Sequence, residues 1–134
     1  MRTYLIALLV LCVNAALIAP DRASAAQSLP TLSVGGSGVT VRVTPRAVGG
    51  GSWEFAMAFD THTQPLTDDL MKTASLIADG KTYAPAGWKA DPPGGHHRKG
   101  VLTFNGVASG AATIELRVAR PGEPKPRSFR WQLK

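Results

Sequence analysis

A strict alternation of large apolar residues with small or polar ones runs through WEFAMAFDTHT, from Trp53 to Thr63. Successive side chains of a β-strand point to opposite faces, so from Trp53 to Phe59 one face of this segment carries only aromatic and methionine side chains. Those residues are Trp53, Phe55, Met57 and Phe59. A strand with such a face has to pack against a second layer, and the segment therefore predicts a central strand of an all-β fold.

The same two-residue period returns along the chain in segments that glycine and proline separate. The further predicted strands are Val39–Thr44, Val101–Asn105, Ala112–Ala119 and Ser128–Lys134. The segment Ala74–Tyr83 contains Asp79-Gly80, a pair that favours the tight two-residue turn of a β-hairpin.

Strands at these spacings, each with one inward and one outward face, indicate two packed sheets. We predict an antiparallel immunoglobulin-like β-sandwich of about seven to eight strands, with a closed barrel as the alternative. One helical turn is expected at Thr67–Met71, capped by Thr67 or Asp68.

The N-terminal segment has the pattern of a secretory signal peptide. Arg2 precedes an apolar run from about Leu5 to Ala19, and Ala23–Ala25 supplies a small-residue cleavage site. The run is shorter than the roughly 20 residues that span a bilayer, which argues against a transmembrane anchor. We predict a signal peptide at 1–25, a β-sandwich domain at 26–134, periplasmic or secreted localisation, and no membrane span after cleavage.

Cysteine content and charge limit the function classes. The only cysteine, Cys12, lies in the signal segment, so the exported domain would contain no disulfide and no thiolate. Six basic residues lie near the C-terminus: Arg117, Arg120, Lys125, Arg127, Arg130 and Lys134. A basic group of this kind favours anionic envelope polymers as partners, whereas its ordinary interpretation is a solvated face. Nucleic acid is not expected as a partner after export.

Asp60 and His62 form the first candidate site. They share one face of the predicted strand, with Cα atoms about 6.5–7 Å apart, and both can reach one small cation. Only three histidines exist in the chain, and the other two are the adjacent His96 and His97. Adjacent residues of an extended segment point to opposite sides, so one of them is expected to face Asp60 and His62. Two imidazoles and a carboxylate suit zinc, copper(II) or non-haem iron.

A structural hypothesis competes with the metal site. The segment Pro85–Gly100 is expected to be a long loop that has to be fastened to the sandwich, and Trp88 can bury its ring there while Gly94 and Gly95 let the chain turn. One histidine of the segment can then hydrogen-bond Asp60, which makes the cluster a polar latch.

The basic residues beside the histidines add a contact to the latch and also suggest a third hypothesis, anion binding. In the latch, Arg98 or Lys99 contacts an acid of the Thr67–Leu70 turn, Asp68 or Asp69. Alternatively, the tip from His96 to Lys99 binds an anion such as phosphate or a uronic sugar. No Gly-x-Ser-x-Gly or Ser-x-x-Lys motif is present, and no enzyme activity is expected.

Three segments together resemble a group of small exported prokaryotic proteins whose function is unassigned. The segments FDTHTQPLTDDL, YAPAGWKADPPGGHHRKGVLTF and RSFRWQLK match the DTH…L…D, W…GGHH…G-L-F and F-x-W-x-L patterns of the group. The resemblance extends over about Trp53–Lys134 and implies no reaction. It implies that one signature contains Asp60, His62, Trp88, Gly94, Gly95, His96 and His97.

The expected function is therefore an exported, non-catalytic binding or structural module of the cell envelope, in which the Asp/His cluster acts as a polar latch. Its partner would be an unknown envelope protein or polymer. The alternative is a periplasmic metal-binding protein that holds copper or zinc with Asp60, His62, His96 and His97.

Overall fold

A computed structural model describes residues 29–133, which form two antiparallel β-sheets that share one core. The strands are β1 (Leu32–Gly36), β2 (Val39–Ala47), β3 (Ser52–Thr61), β4 (Ala74–Ala78), β5 (Lys81–Tyr83), β6 (Gly87–Ala90), β7 (His97–Asn105), β8 (Thr113–Val118) and β9 (Arg127–Gln132). A short helix, α1 (Leu70–Thr73), precedes β4. The predicted signal peptide at 1–25 lies outside the described residues.

The first sheet has the order β1-β2-β3-β7-β6, and the second has the order β5-β4-β8-β9. Every strand pairing is antiparallel. The predicted immunoglobulin-like sandwich is confirmed, with nine strands among the described residues instead of seven to eight.

The core forms where the inward faces of the two sheets meet. Trp53, Phe55, Met57 and Phe59 of β3 are each at most 2% exposed, as the alternation predicted. Phe55 reaches the second sheet, where its ring lies 5.8 Å from that of Trp131. Burial of each such side chain contributes about 1.5–3 kcal/mol, so this strand is a principal source of the stability of the fold.

Two strands are absent from the prediction, and both lie at edges of the first sheet. In the case of β6 the whole segment Pro85–Gly100 was expected to be a loop, because it is rich in glycine and proline. Four of its residues nevertheless pair with β7, which begins at His97, four residues earlier than predicted. Backbone pairing with an existing strand needs no apolar alternation, so the local pattern did not indicate it.

The predicted helical turn is shifted by about three residues. Helix α1 begins at Leu70, and its N-cap is Asp69, whose Oδ1 accepts a hydrogen bond from the backbone N–H of Met71 at 3.1 Å. The prediction that Thr67 or Asp68 caps the turn is therefore wrong. Asp68 is instead buried, and its carboxylate has a partner elsewhere in the fold.

The hairpin at Asp79-Gly80 is confirmed. Both residues have positive φ, 45° and 82°, as a two-residue turn with the twist of the flanking strands requires. The carboxylate of Asp79 also accepts hydrogen bonds from the backbone N–H groups of Ala112 and Thr113, at 3.0 and 3.1 Å. The turn therefore also ties down the start of β8.

One arginine joins the edges of the two sheets. Arg127, at the start of β9, donates hydrogen bonds to the carbonyls of Val34, Gly36 and Val39 at 2.7–2.9 Å. Glu123 neutralises its charge through an ion pair of 2.6 Å. The interpretation of this arginine as part of a solvated basic face is wrong, because Arg127 is only 7% exposed.

Among residues 29–133, no helix has the length and apolar character needed to cross a lipid bilayer.

Candidate functional site: the Asp60 cluster and the β6–β7 segment

Asp60 lies near the end of β3 on the outward face of the first sheet, between β2 and β7. Its Oδ1 is 2.6 Å from Nδ1 of His97, the residue directly opposite it on β7. Its Oδ2 accepts a hydrogen bond from Nη2 of Arg42 on β2 at 2.7 Å. One carboxylate thus connects three neighbouring strands, because residues opposite or diagonal on one sheet face are close enough to interact.

The surroundings of Asp60 favour its ionised form. The hydrogen bond from His97 is the largest cause that lowers the pKa of Asp60 below its usual value, and the Arg42 guanidinium acts in the same direction. Partial burial of the carboxyl raises its pKa and offsets some of this effect. Both carboxylate oxygens are engaged, which makes Asp60 a link between strands rather than an unoccupied base.

His62 does not join this cluster, contrary to the expectation that it shares a cation with Asp60. Strand β3 ends at Thr61, whose hydroxyl donates to the carbonyl of Gly38 and accepts from the backbone N–H of Thr63. This local turn takes His62 out of the strand face and leaves it exposed. The side-chain alternation of the strand therefore stops one residue before His62.

The two adjacent histidines separate as the alternation rule predicts. His97 hydrogen-bonds Asp60 although its side chain is 69% exposed, and the side chain of His96 is exposed and does not contact Asp60. The carbonyl of His96 accepts a hydrogen bond from the backbone N–H of Thr61 at 2.9 Å. The DTH and GGHH segments thus meet through one backbone hydrogen bond and one side-chain contact.

The four proposed ligands Asp60, His62, His96 and His97 do not converge. Within residues 29–133, no group of three or more histidine, cysteine, aspartate or glutamate residues could hold a metal ion. Of the four, only Asp60 and His97 touch through their side chains. The arrangement offers a carboxylate–imidazole pair, and a zinc or copper site ordinarily needs at least one more protein ligand.

The inner side of the same segment is held by Arg98. This residue is only 5% exposed and donates hydrogen bonds to the carbonyls of Asp91 and Asp68, at 2.9 and 2.6 Å. Its guanidinium also lies 5.8 Å from the ring of Trp88, within the range of a cation–π contact. The expected contact between Arg98 and the 67–70 turn is present, but it uses the backbone carbonyl of Asp68.

The carboxylate of Asp68 binds Arg120, a pair that the sequence did not indicate. Two hydrogen bonds of 2.9 Å join them, and both side chains are at most 3% exposed. Arg120 was assigned to a solvated basic face, and that interpretation is wrong. The residues are 52 positions apart, so no local sequence pattern could have indicated that they pair.

Trp88 and the glycines fasten the segment to the sandwich, as expected for a latch. The Trp88 ring lies edge-on to Phe59, with centroids 6.4 Å apart. Gly94 and Gly95 have φ values of 109° and 72°, and the N–H of Gly94 donates to the carbonyl of Leu66 at 2.7 Å. Gly100 was not singled out, yet a Cβ there would lie 2.6 Å from the Trp88 ring.

Comparison with known proteins identifies no family for this chain. No protein-family model and no curated protein matches the chain. A secreted protein of Mycobacterium tuberculosis, MPT63, aligns over 77% of this chain and 92% of its own, with 14% identity and a TM-score of 0.45. The yeast GGA1 GAE domain aligns over 78% of this chain and 97% of its own, with 12% identity and a TM-score of 0.36. At these values neither likeness carries an inference about this chain.

Proposed function

We propose that the protein is an exported, non-catalytic binding or structural module of the cell envelope, and that the Asp60 cluster acts as a polar latch. The observation that carries the proposal is the contact of Asp60 with both Arg42 and His97, which links β2, β3 and β7. The export component rests on the signal-peptide pattern of residues 1–25.

The inner contacts of the β6–β7 segment support the same role. Arg98 anchors the segment to the carbonyl of Asp68, and Trp88 packs on Phe59 beneath it. The segment is thus held on both sides of the first sheet, by the Asp60–His97 pair outside and by Arg98 inside. Such a double attachment suits a structural role, because both carboxylate oxygens of Asp60 and the guanidinium of Arg98 are already engaged in contacts between elements.

The resemblance to small exported prokaryotic proteins is part of this proposal. The segments that carry it, DTH and GGHH, are adjacent in the fold through the Thr61–His96 hydrogen bond. The metal-binding alternative with copper or zinc has weaker support, since the four candidate ligands do not converge.

The test compares two histidine variants of the secreted protein, purified without a histidine tag. His97→Ala removes the partner of Asp60, and His62→Ala is a matched control because His62 is also exposed but lies outside the cluster. We expect His97→Ala to lower the free energy of unfolding by about 0.5–1 kcal/mol, as for other solvent-accessible ion pairs. His62→Ala should change it by less than about 0.5 kcal/mol.

Amide exchange and metal titration complete the test. Hydrogen exchange at the Thr61 N–H, which donates to the carbonyl of His96, should accelerate in His97→Ala and remain unchanged in His62→Ala. Calorimetric titration with Zn²⁺ and Cu²⁺ distinguishes the alternative. One-to-one binding that is lost in both variants would replace the latch with a metal site, and equal stability of the two variants would refute the latch.

A further inference from the structure

The outward face of the first sheet contains a trough of about 530 Å³, which we call the outer trough. Its floor is formed by Ala56 and Ala58 of β3, and its walls are formed by Arg42 and Arg46 of β2 and by Lys99 and Val101 of β7. The volume lies within the range of about 300–1,000 Å³ that is usual for ligand sites. This surface adjoins the latch at one end, where Arg42 belongs to both.

The strand register explains the shape. Ala58 lies between Arg42 and Lys99, and Ala56 lies next to Val101. Small residues on the central strand, flanked by longer side chains on both neighbouring strands, leave a depression along β3. The acidic residues of this face, Glu54 and Asp60, are the next outward residues at the two ends of the alanine row, and neither is among the lining residues.

Two of the three basic side chains that line the trough have no ion-pair partner within residues 29–133. Arg42 is paired with Asp60, but neither Arg46 nor Lys99 forms an ion pair in residues 29–133. The outward face of the second sheet is different, since Arg117 and Arg130 both contact the carboxylate of Glu115, at 3.1 and 3.4 Å. Two cations that face one depression from opposite walls attract an anionic partner.

The structure also restricts the kind of partner. Strand β3 is paired on both sides, with β2 and β7, so its backbone cannot accept a further peptide strand. The floor is apolar, formed by the alanine methyl groups, with the Val101 side chain beside it. A partner that fits both properties carries carboxylates and also has C–H surface to bury.

We infer that the outer trough binds an extended carboxylated polysaccharide, with Arg46 and Lys99 contacting its carboxylates and the alanine floor contacting its sugar rings. This inference rests on the proposed function as an envelope binding module and names the surface and the class of partner. Guanidinium and ammonium groups form their strongest hydrogen bonds with such anions.

The experiment measures binding of alginate oligosaccharides, which are polyuronates, to the secreted protein by calorimetry. The variant Arg46→Gln/Lys99→Gln removes one cation from each wall. The matched control, Lys72→Gln/Lys125→Gln, removes two exposed lysines outside the trough, so both variants lose the same charge. We expect the trough variant to weaken alginate binding by at least about tenfold, which is the effect of losing one charge-assisted hydrogen bond. The control should bind like the unaltered protein.

Other polymers complete the design. Neutral dextran should not bind, and polyphosphate and polyglutamate, which offer no sugar-ring face to the alanine floor, should bind at least about tenfold more weakly than alginate. The inference is overturned by absence of alginate binding, by equal weakening in both double variants, or by polyphosphate or polyglutamate binding as tightly as alginate. Neither double variant alters the Asp60–His97 contact, so the unfolding measurements on His97→Ala decide the latch separately from this result.

Discussion

At the scale of single residues, Asp60 shows how one side chain acquires a role from its strand position. It is the last outward residue of β3, and the register places His97 directly opposite it and Arg42 diagonally across from it. The resulting contacts lower the pKa of Asp60, with the His97 hydrogen bond as the largest cause. A group whose pKa is lowered by folding stabilises the folded state only while it is ionised.

This linkage gives a pH-dependent prediction. The contribution of Asp60 to the free energy of unfolding is complete above the ordinary aspartate pKa of about 3.9, and it is lost as the pH falls from there through the lower folded-state pKa. The stability difference between the unaltered protein and Asp60→Asn should therefore be about 1 kcal/mol at neutral pH and shrink below about pH 4. Urea unfolding over a pH series measures it.

Glu54→Gln is the control for this experiment. Glu54 lies on the same face of β3 but forms no hydrogen bond or ion pair through its side chain within residues 29–133. Its stability difference should stay small across the series. A difference for Asp60→Asn that persists undiminished in acid would contradict the electrostatic role of Asp60.

At the scale of elements, the β6–β7 segment is held from below by a buried ionic group. Asp68 binds Arg120 through its carboxylate and Arg98 through its carbonyl. These contacts attach β7 and the chain that follows β8 to the turn before α1. Buried charges are tolerated only when they are paired, so the group is sensitive to loss of one member.

Asp68→Ala should therefore be strongly destabilising. It leaves the Arg120 guanidinium buried without its carboxylate, and removing one partner of a buried pair typically costs about 3–5 kcal/mol. The neighbouring Asp69→Ala removes the N-cap of α1 and an exposed 4.0 Å ion pair with Lys72, and should cost about 0.5–2 kcal/mol. Chemical denaturation of both variants provides the measurement. Equal losses in the free energy of unfolding would show that the buried ion pair contributes no more to stability than the N-cap does.

At the scale of the whole molecule, closure of the sandwich along one side depends on contacts between β9 and the N-terminal strands. Arg127 donates to three carbonyls of β1 and β2, and the indole N–H of Trp131 donates to the carbonyl of Pro30 at 2.8 Å. These contacts join residues about 90–100 positions apart along the chain. They attach the last strand of one sheet to the first strand of the other.

Arg127→Met tests this closure, since it keeps the apolar stem and removes the guanidinium. It leaves three carbonyls and Glu123 without their partner, and we expect a loss of about 3 kcal/mol or more in the free energy of unfolding. Arg117→Met, at a half-exposed position on the second sheet, should cost less than about 1 kcal/mol. Urea unfolding decides the outcome, and a small effect of Arg127→Met would mean that core packing alone closes the sandwich.

Local pattern was sufficient to predict the strands whose alternating side chains are buried in the core. Trp53, Phe55, Met57 and Phe59 are buried as predicted, and Asp79-Gly80 forms the predicted turn. The edge strand β6 was not predicted, because four residues that pair through their backbone show no alternation. The sequence allowed the Asp60–His97 contact as one of several. Predicting it alone would have required the register of two strands that lie far apart in the sequence.

The sequence by itself determined that the chain forms an all-β sandwich and which face of each long strand is inward, because burial of alternating apolar side chains dominates folding and is visible locally. Only the tertiary structure decided which charged groups meet. Asp68 with Arg120, Arg127 with the β1 carbonyls, and Asp60 with His97 rather than His62 all depend on strand order and register. A charged side chain has the same local pattern whether it is solvated or paired, so its role becomes visible only when distant strands are brought together.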